Sequence, residues 1–201
     1  QKIHFEWHAG SLFAMPLNAW HRLVNGSRES DVYLAVTSAP MIMDLLHDPG
    51  FLFGCDHSFG ERFDGRADYF VPTTKREERV RFTVWDSNFI TDVRNAALDP
   101  AERKGSGLRV TCLEMGGSTL VGHIAQWPVG RYHKAHHHQG GAVLLILRSQ
   151  GYSLMWPKEA GTRPYQAQRS DQVVRVEWRE GSVFSPPTGW FHQHFNTGRE
   201  Q

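Results

Sequence analysis

The stretch that decides the fold is residues 181–196, GSVFSPPTGWFHQHFN. It reads as a glycine turn, a short apolar strand, a Pro-Pro-Thr-Gly corner and a second strand that carries His192 and His194. Because side chains alternate between the two faces of a strand, these histidines point to the same side. The stretch RYHKAHHHQGG repeats the spacing with His136 and His138. Two strands that each direct paired imidazoles to one interior predict a metal site.

Composition limits the function classes. The chain has 201 residues, enough for one large or two small β domains, and a formal net charge of +1, so neither nucleic acid nor an acidic partner is expected. No apolar run approaches the roughly 18 residues of a membrane span. Two cysteines do not form a disulfide framework, so a reduced, cytoplasmic setting is expected. No G-x-S-x-G elbow of a serine hydrolase is present.

Two distant stretches of the chain share a pattern. Residues 6–25 and 177–196 contain identical residues at a constant separation of 171 positions. The eight pairs are Glu6/Glu177, Trp7/Trp178, Gly10/Gly181, Ser11/Ser182, Phe13/Phe184, Pro16/Pro187, His21/His192 and Asn25/Asn196. So many identities in one register predict an internal duplication. Leu23 stands where the second copy has His194, so we expect the two copies to differ in function.

The hydrophobic pattern favours strands over helices. Alternation predicts a strand over residues 31–37, and short helices are predicted at 39–47 and 92–98. From residue 108 onward, glycine and proline separate seven candidate strands with no helix between them. They span residues 108–115, 120–126, 142–147, 152–156, 172–178, 182–185 and 190–195. This pattern predicts a mainly β fold, either a sandwich or a barrel.

The predicted metal ligands are His136, His138 and His192. Neutral imidazoles suit Fe(II), Ni, Cu, Zn or Mn, and three protein ligands leave coordination positions open, as in catalytic sites. A single histidine in a β protein is more often a surface or packing residue, and His137 should alternate outward. The same structural or surface role is expected of six further histidines: His4, His8, His47, His57, His123 and His133.

The motifs of this chain resemble those of the cupin superfamily. Gly181, Pro187-Thr188-Gly189, His192 and Asn196 match the second cupin motif at every fixed position, and Gly130, His136, His138 and Gly151 resemble the first. The resemblance implies a double-stranded β-helix, or jelly-roll barrel, and the duplication implies a bicupin with an incomplete first copy. Residues 1–50 would form the second half of an N-terminal copy, residues 51–107 a linker and loop region with short helices, and residues 108–201 a C-terminal cupin barrel with the metal site.

The first cupin motif normally adds a glutamate ligand, and this chain departs from that pattern. Residues 139–148 contain no acidic residue, and Leu144 stands at the expected position. The chain is therefore similar to the three-histidine dioxygenases that act on gentisate, salicylate and hydroxynaphthoate. This similarity implies that His192 is a ligand and that His194 is the catalytic residue, which either supports the ligands from behind or contacts substrate or O2. Those enzymes usually place an arginine near the Leu144 position to hold the substrate carboxylate. Either Arg131 or Arg148 substitutes for it here, or the substrate has no carboxylate at that position.

The substrate pocket is expected to be aromatic. Tyr132, Trp156 and Trp190 are candidate substrate-binding residues, although such side chains more often fill a core. The resemblance implies an Fe(II)-dependent dioxygenase that uses O2 and a small molecule with a hydroxylated ring. The alternatives are an O2-independent lyase or isomerase with Zn or Mn, and a non-catalytic small-molecule-binding cupin. A homo-oligomer is expected, because cupin sheets bury their edges against a neighbour.

Overall fold

The computed structural model describes residues 2–79 and 82–199. It is mainly β, with 28% strand and 13% helix, which confirms the predicted class and is compatible with a β-barrel. Chain contacts divide it into two units. One contains the described residues up to Val93 together with Cys112–His123, and the other contains Arg94–Thr111 with the described residues from Ile124 onward. The predicted boundaries at 50 and 107 follow the sequence repeat, and they stay a prediction.

The strands are short and the helices few. In chain order the strands are β1 (Leu12–Phe13), β2 (Arg76–Arg79), β3 (Phe82–Asp86), β4 (Phe89–Ile90), β5 (Asp99–Pro100), β6 (Arg109–Glu114), β7 (Gly122–Gln126), β8 (Tyr132–His136), β9 (Leu144–Leu145), β10 (Gln150–Trp156), β11 (Val174–Arg179), β12 (Val183–Phe184) and β13 (Phe191–Asn196). The α-helices are α1 (Ala39–Leu46) and α2 (Pro49–Phe53). Single 3₁₀ turns lie at Val93–Asn95, Glu102–Lys104, Lys158–Ala160 and Ser170–Gln172.

In the first unit, β1 pairs with β4 and β2 with β3, both antiparallel, and β3 pairs in parallel with the end of β6. Val84, Phe89 and Ile90 are buried in this unit. Helix α1 confirms the helix predicted at 39–47, and it ends where His47 adopts a left-handed conformation at φ 51°. Neither α1 nor α2 buries a residue, so both lie at the surface of the unit.

Two predictions in this region of the sequence are wrong. Residues 31–37 form no strand, and Val32 there is 96% exposed. An alternating pattern becomes a strand only where a neighbouring strand satisfies the main chain, and none of the described pairings includes these residues. The helix predicted at 92–98 is reduced to the single 3₁₀ turn Val93–Asn95. A run this short gains few main-chain hydrogen bonds against the cost of nucleating a helix.

The second unit is built on a four-stranded antiparallel sheet in the order β11-β10-β13-β8. Its long strands confirm three of the predicted ones, whereas the strand predicted at 142–147 contains only Leu144–Leu145, which pairs with β12. The six residues of β13 alternate between half-buried and buried, as expected for a strand with one face turned to the interior. We call the side that carries His192 and His194 the histidine face, and the other side the opposite face.

Gly151 shows why this sheet needs a glycine. It pairs with Trp178 on one side and with Asn196 on the other. A Cβ atom here would lie 2.6 Å from the Trp178 ring and closer still to the Phe195 carbonyl oxygen. The glycine therefore allows the indole ring to pack flat against β10.

The duplicated stretches have the same local backbone. Strands β1 and β12 lie at equivalent positions of the repeat, each after a glycine with positive φ. Asn18 and Gly189, also equivalent, both have left-handed conformations, at φ 53° and 77°. Asparagine tolerates this region better than most residues, which explains the exchange. Equivalent hydrogen bonds also recur: Ser11 N to His8 O matches Ser182 N to Arg179 O, and Ala19 N to Pro16 O matches Trp190 N to Pro187 O.

Neither Cys55 nor Cys112 forms a disulfide bond. Within residues 2–79 and 82–199, no helix has the length and apolar character needed to cross a bilayer.

Candidate metal centre

Three histidines meet at one end of the antiparallel sheet in the second unit. His136 is the last residue of β8, His192 lies directly opposite it in β13, and His138 follows two residues after the end of β8. Their ligand atoms all lie within 4.8 Å of one another. The prediction that His136 and His138 share a strand is wrong, because β8 ends at His136. The chain nevertheless returns His138 to the same cluster.

The three rings share one feature: the Nδ1 atom of each lies within hydrogen-bonding distance of a main-chain carbonyl two residues away. These bonds join His136 to Lys134 O at 3.0 Å, His138 to Gly140 O at 2.6 Å and His192 to Trp190 O at 3.2 Å. A carbonyl oxygen can only accept, so each Nδ1 carries the proton and each Nε2 of a neutral ring keeps its lone pair. Metal-binding histidines are oriented in this way.

The closest approach in the cluster is between Nε2 of His192 and Nε2 of His136, at 3.2 Å. Because both nitrogens carry lone pairs, this contact is repulsive unless a proton or a cation lies between them. Two nitrogens bound at about 2.1 Å to adjacent positions of one transition-metal ion lie roughly 3.0–3.4 Å apart. The observed separation therefore fits two ligands of one metal ion.

The surroundings disfavour a proton at this position. Burial, followed by the nearby His136 ring, lowers the pKa of His192 from 6.5 to about 4, although its hydrogen bond to Trp190 opposes the shift. Burial is also the largest cause of the lowered pKa of His136. Both rings are therefore neutral near pH 7, which is the form that binds a metal ion. His138 is exposed, so solvent can reach the cluster from its side.

His133 is the neighbour that sequence reasoning missed. Strand β8 pairs His136 with His192 but His133 with His194, so β8 has one more residue than β13 between these two pairs. This β-bulge turns His133 to the histidine face, where it is 7% exposed and its ring centroid lies 4.5 Å from that of His136. The sequence offers no direct signal for it, because strict alternation places residues 133 and 136 on opposite faces.

His194, the predicted catalytic residue, lies on the histidine face beside the cluster. It is 3% exposed, and its ring centroid lies 5.4 Å from that of His192. Its Nδ1 lies 2.7 Å from the hydroxyl of Ser153 on β10, and the indole N–H of Trp178 on β11 donates to the same hydroxyl at 3.1 Å. The structure thus brings His194 together with the predicted ligands.

Two predicted substrate residues lie away from the cluster. Tyr132 pairs with Phe195 and Trp156 with Phe191, and both pairs are on the opposite face. Trp156 is buried there, stacked on Phe191, and its indole N–H donates to the Gly161 carbonyl at 2.8 Å. These aromatic residues therefore pack the other side of the sheet, as strand alternation requires.

The other predicted substrate residues contribute little to the histidine face. Trp190 provides its main-chain carbonyl to His192. The side chains of Arg131 and Arg148 are exposed and lie outside the strands, and in the described part of the chain no hydrogen bond joins either to the three histidines. The apolar residues that line the cluster are instead Met155, which pairs with His192, and Trp127 and Phe184, whose rings each lie 6.1 Å from that of His194.

No protein-family model matches this sequence, and a search of curated proteins found no significant match.

Proposed function

We propose that this chain is a bicupin-like metalloenzyme of the cupin type, and that His136, His138 and His192 bind Fe(II) for a dioxygenase reaction on a hydroxylated aromatic ring. The observation that carries the proposal is the 3.2 Å separation of two lone-pair nitrogens. Their neutral form near pH 7 and the carbonyl that orients each ring support it. Imidazole-only ligation leaves the charge of a divalent ion uncompensated, which suits an anionic bidentate substrate.

The local roles of the motif residues support the cupin type. Gly181 and Gly189 adopt φ 78° and 77°, a region that favours glycine. Asn196 ties three segments together: its Nδ2 donates to the Trp127 carbonyl at 3.1 Å, and its Oδ1 accepts from Ser149 Oγ at 2.8 Å and from Gly198 N at 3.0 Å. The backbone conformations and contacts give a structural reason for three fixed positions of the second motif: Gly181, Gly189 and Asn196.

In this proposal the protein binds the metal ion, orients the substrate and shields the site from water. A ferrous ion held there would supply Lewis acidity and the redox chemistry with O2. Met155, Trp127 and Phe184 limit water on the inner side of the cluster, and the exposed His138 marks the side from which substrate enters. His194 supplies a hydrogen-bonding group for a phenol oxygen.

The first experiment is elemental analysis of protein purified without added metal, beside H136A and H192A. H137A is the matched control, because His137 adjoins the ligands in sequence but its ring packs on Phe191, on the opposite face. We expect about one iron per chain in the parent and in H137A, and none in the other two variants. Oxygen uptake with hydroxylated aromatic acids should then follow the iron content.

Other outcomes separate the alternatives. Zinc or manganese that is lost on the same substitutions would replace the dioxygenase with an O2-independent lyase or isomerase. A parent that holds no metal and binds none after reconstitution would overturn the metal centre altogether, leaving a non-catalytic binding protein.

A further inference from the structure

We propose that Ser153 and Trp178 are positioning residues that keep the proton of neutral His194 on Nε2, so that His194 serves as a hydrogen-bond donor and not as a fourth metal ligand. The role of the donor toward substrate rests on the proposed function. The assignment of the proton does not, because it concerns the metal-free protein.

The three side chains form a buried chain across three neighbouring strands. Ser153 is 0% exposed, His194 3% and Trp178 5%. Ser153 pairs with His194 of β13 on one side and with Val176 of β11 on the other, two residues from Trp178. The distances are 3.1 Å from Trp178 Nε1 to Ser153 Oγ and 2.7 Å from Ser153 Oγ to His194 Nδ1.

The direction of these hydrogen bonds follows from their donors. An indole nitrogen can only donate, so Trp178 donates to the oxygen of Ser153. The hydroxyl proton of Ser153 then needs an acceptor, and the acceptor within reach is Nδ1 of His194. Because a buried hydroxyl without an acceptor is costly, Ser153 donates to Nδ1. Nδ1 therefore carries no proton, and the proton of the neutral ring lies on Nε2.

This arrangement is the reverse of that in the three proposed ligands. In His136, His138 and His192, a carbonyl at Nδ1 leaves the Nε2 lone pair available. In His194, a hydroxyl at Nδ1 places a hydrogen on Nε2, and a protonated nitrogen cannot bind a metal ion. A carbonyl at Nδ1 therefore selects a ligand, and a hydroxyl at Nδ1 selects a hydrogen-bond donor.

The test is nitrogen-detected NMR of the ring nitrogens in metal-free protein labelled with ¹⁵N-histidine, at neutral pH. The protonated and bare nitrogens of a neutral ring have different ¹⁵N shifts, and comparison with H194Q assigns the His194 signals. We expect the Nε2–H tautomer in the parent. W178F and S153A should each convert it to a mixture or to the Nδ1–H tautomer. In W178F the hydroxyl of Ser153 can accept a hydrogen bond from Nδ1–H, and in S153A there is no hydroxyl to donate to Nδ1.

W156F is the matched control. It also removes one buried indole hydrogen bond from the same sheet, but on the opposite face, so the His194 signals should not change. An Nδ1–H tautomer in the parent would overturn the proposal, as would a parent-like tautomer in W178F and S153A. Circular dichroism verifies the fold of each variant. If a variant does not fold, the NMR spectrum of the parent alone decides the direction of the hydrogen bond between Ser153 and His194. Metal content, measured separately, decides the proposed function.

Discussion

Acid should destabilise the metal-free protein through His192 in particular. The folded state lowers the pKa of this ring from 6.5 to about 4, so between these values the unfolded chain binds a proton that the folded chain does not. The free energy of unfolding is therefore unaffected above about pH 6.5, and it decreases as the pH falls toward 4. Below about pH 4 both states are protonated and the loss is complete.

The size of this effect follows from the shift. One pKa unit corresponds to about 1.4 kcal/mol, so the contribution of His192 is a loss of about 2 kcal/mol at pH 5 and about 3 kcal/mol at pH 4. His192 is 3% exposed, so solvent does little to reduce this value. Since the pKa of His136 is also lowered, the whole protein should lose more than His192 alone accounts for.

The assay is urea unfolding at several pH values, monitored by tryptophan fluorescence with a chelator present. H192Q removes the titrating ring, so the difference in pH dependence between parent and H192Q isolates its contribution, and carboxylates common to both cancel. H4Q, at an exposed histidine, is the control and should follow the parent. Equal pH dependence of the parent and H192Q would refute the reasoning, because it would mean that burial does not disfavour the charged ring.

Three further predictions concern the metal, a glycine and the motif asparagine. Zinc at about 100 times its Kd should raise the free energy of unfolding by about 2.7 kcal/mol in a thermal-shift series. H138A should lose most of this gain. The same gain in H138A as in the parent would remove His138 from the ligand set. G151A should cost about 3 kcal/mol because its Cβ would meet an indole ring, whereas G141A, which faces open space, should stay within about 0.5 kcal/mol in denaturant unfolding. N196A should lower the free energy of unfolding by about 2–3 kcal/mol, because it removes buried hydrogen bonds. N25A, at the exposed equivalent position, should lower it by less than about 1 kcal/mol. Equal losses would contradict the structural role of Asn196.

The strands of the second unit could be predicted because their pattern is local. β10, β11 and β13 were predicted at 152–156, 172–178 and 190–195, within two residues of their observed ends. Alternation is visible there because one face of the sheet is buried more deeply than the other. Residues 31–37 alternate equally well but form no strand, since the pattern alone does not provide a partner.

The cluster of three histidines could be predicted, but the hydrogen-bonding neighbours of His194 could not. His136, His138 and His192 belong to motifs whose spacing is visible in the sequence. Ser153 and Trp178 are ordinary strand residues. Ser153 is 25 positions from Trp178 and 41 positions from His194 in sequence, so these contacts depend on how the three strands pair. Strand register is a tertiary property, because it is set by which faces are buried together.

One irregularity in register explains where Tyr132 and His133 lie. Tyr132 and His136 are four positions apart, so strict alternation would put them on the same face. The extra residue of β8 between His133 and His136 reverses this relation: it turns Tyr132 to the opposite face and His133 to the histidine face. A bulge bends its strand and re-aims the side chains beside it, often next to functional sites. The same bulge therefore brings His133 to the cluster and directs an aromatic residue away from it, which is why alternation was a sound guide for β13 and misleading for β8.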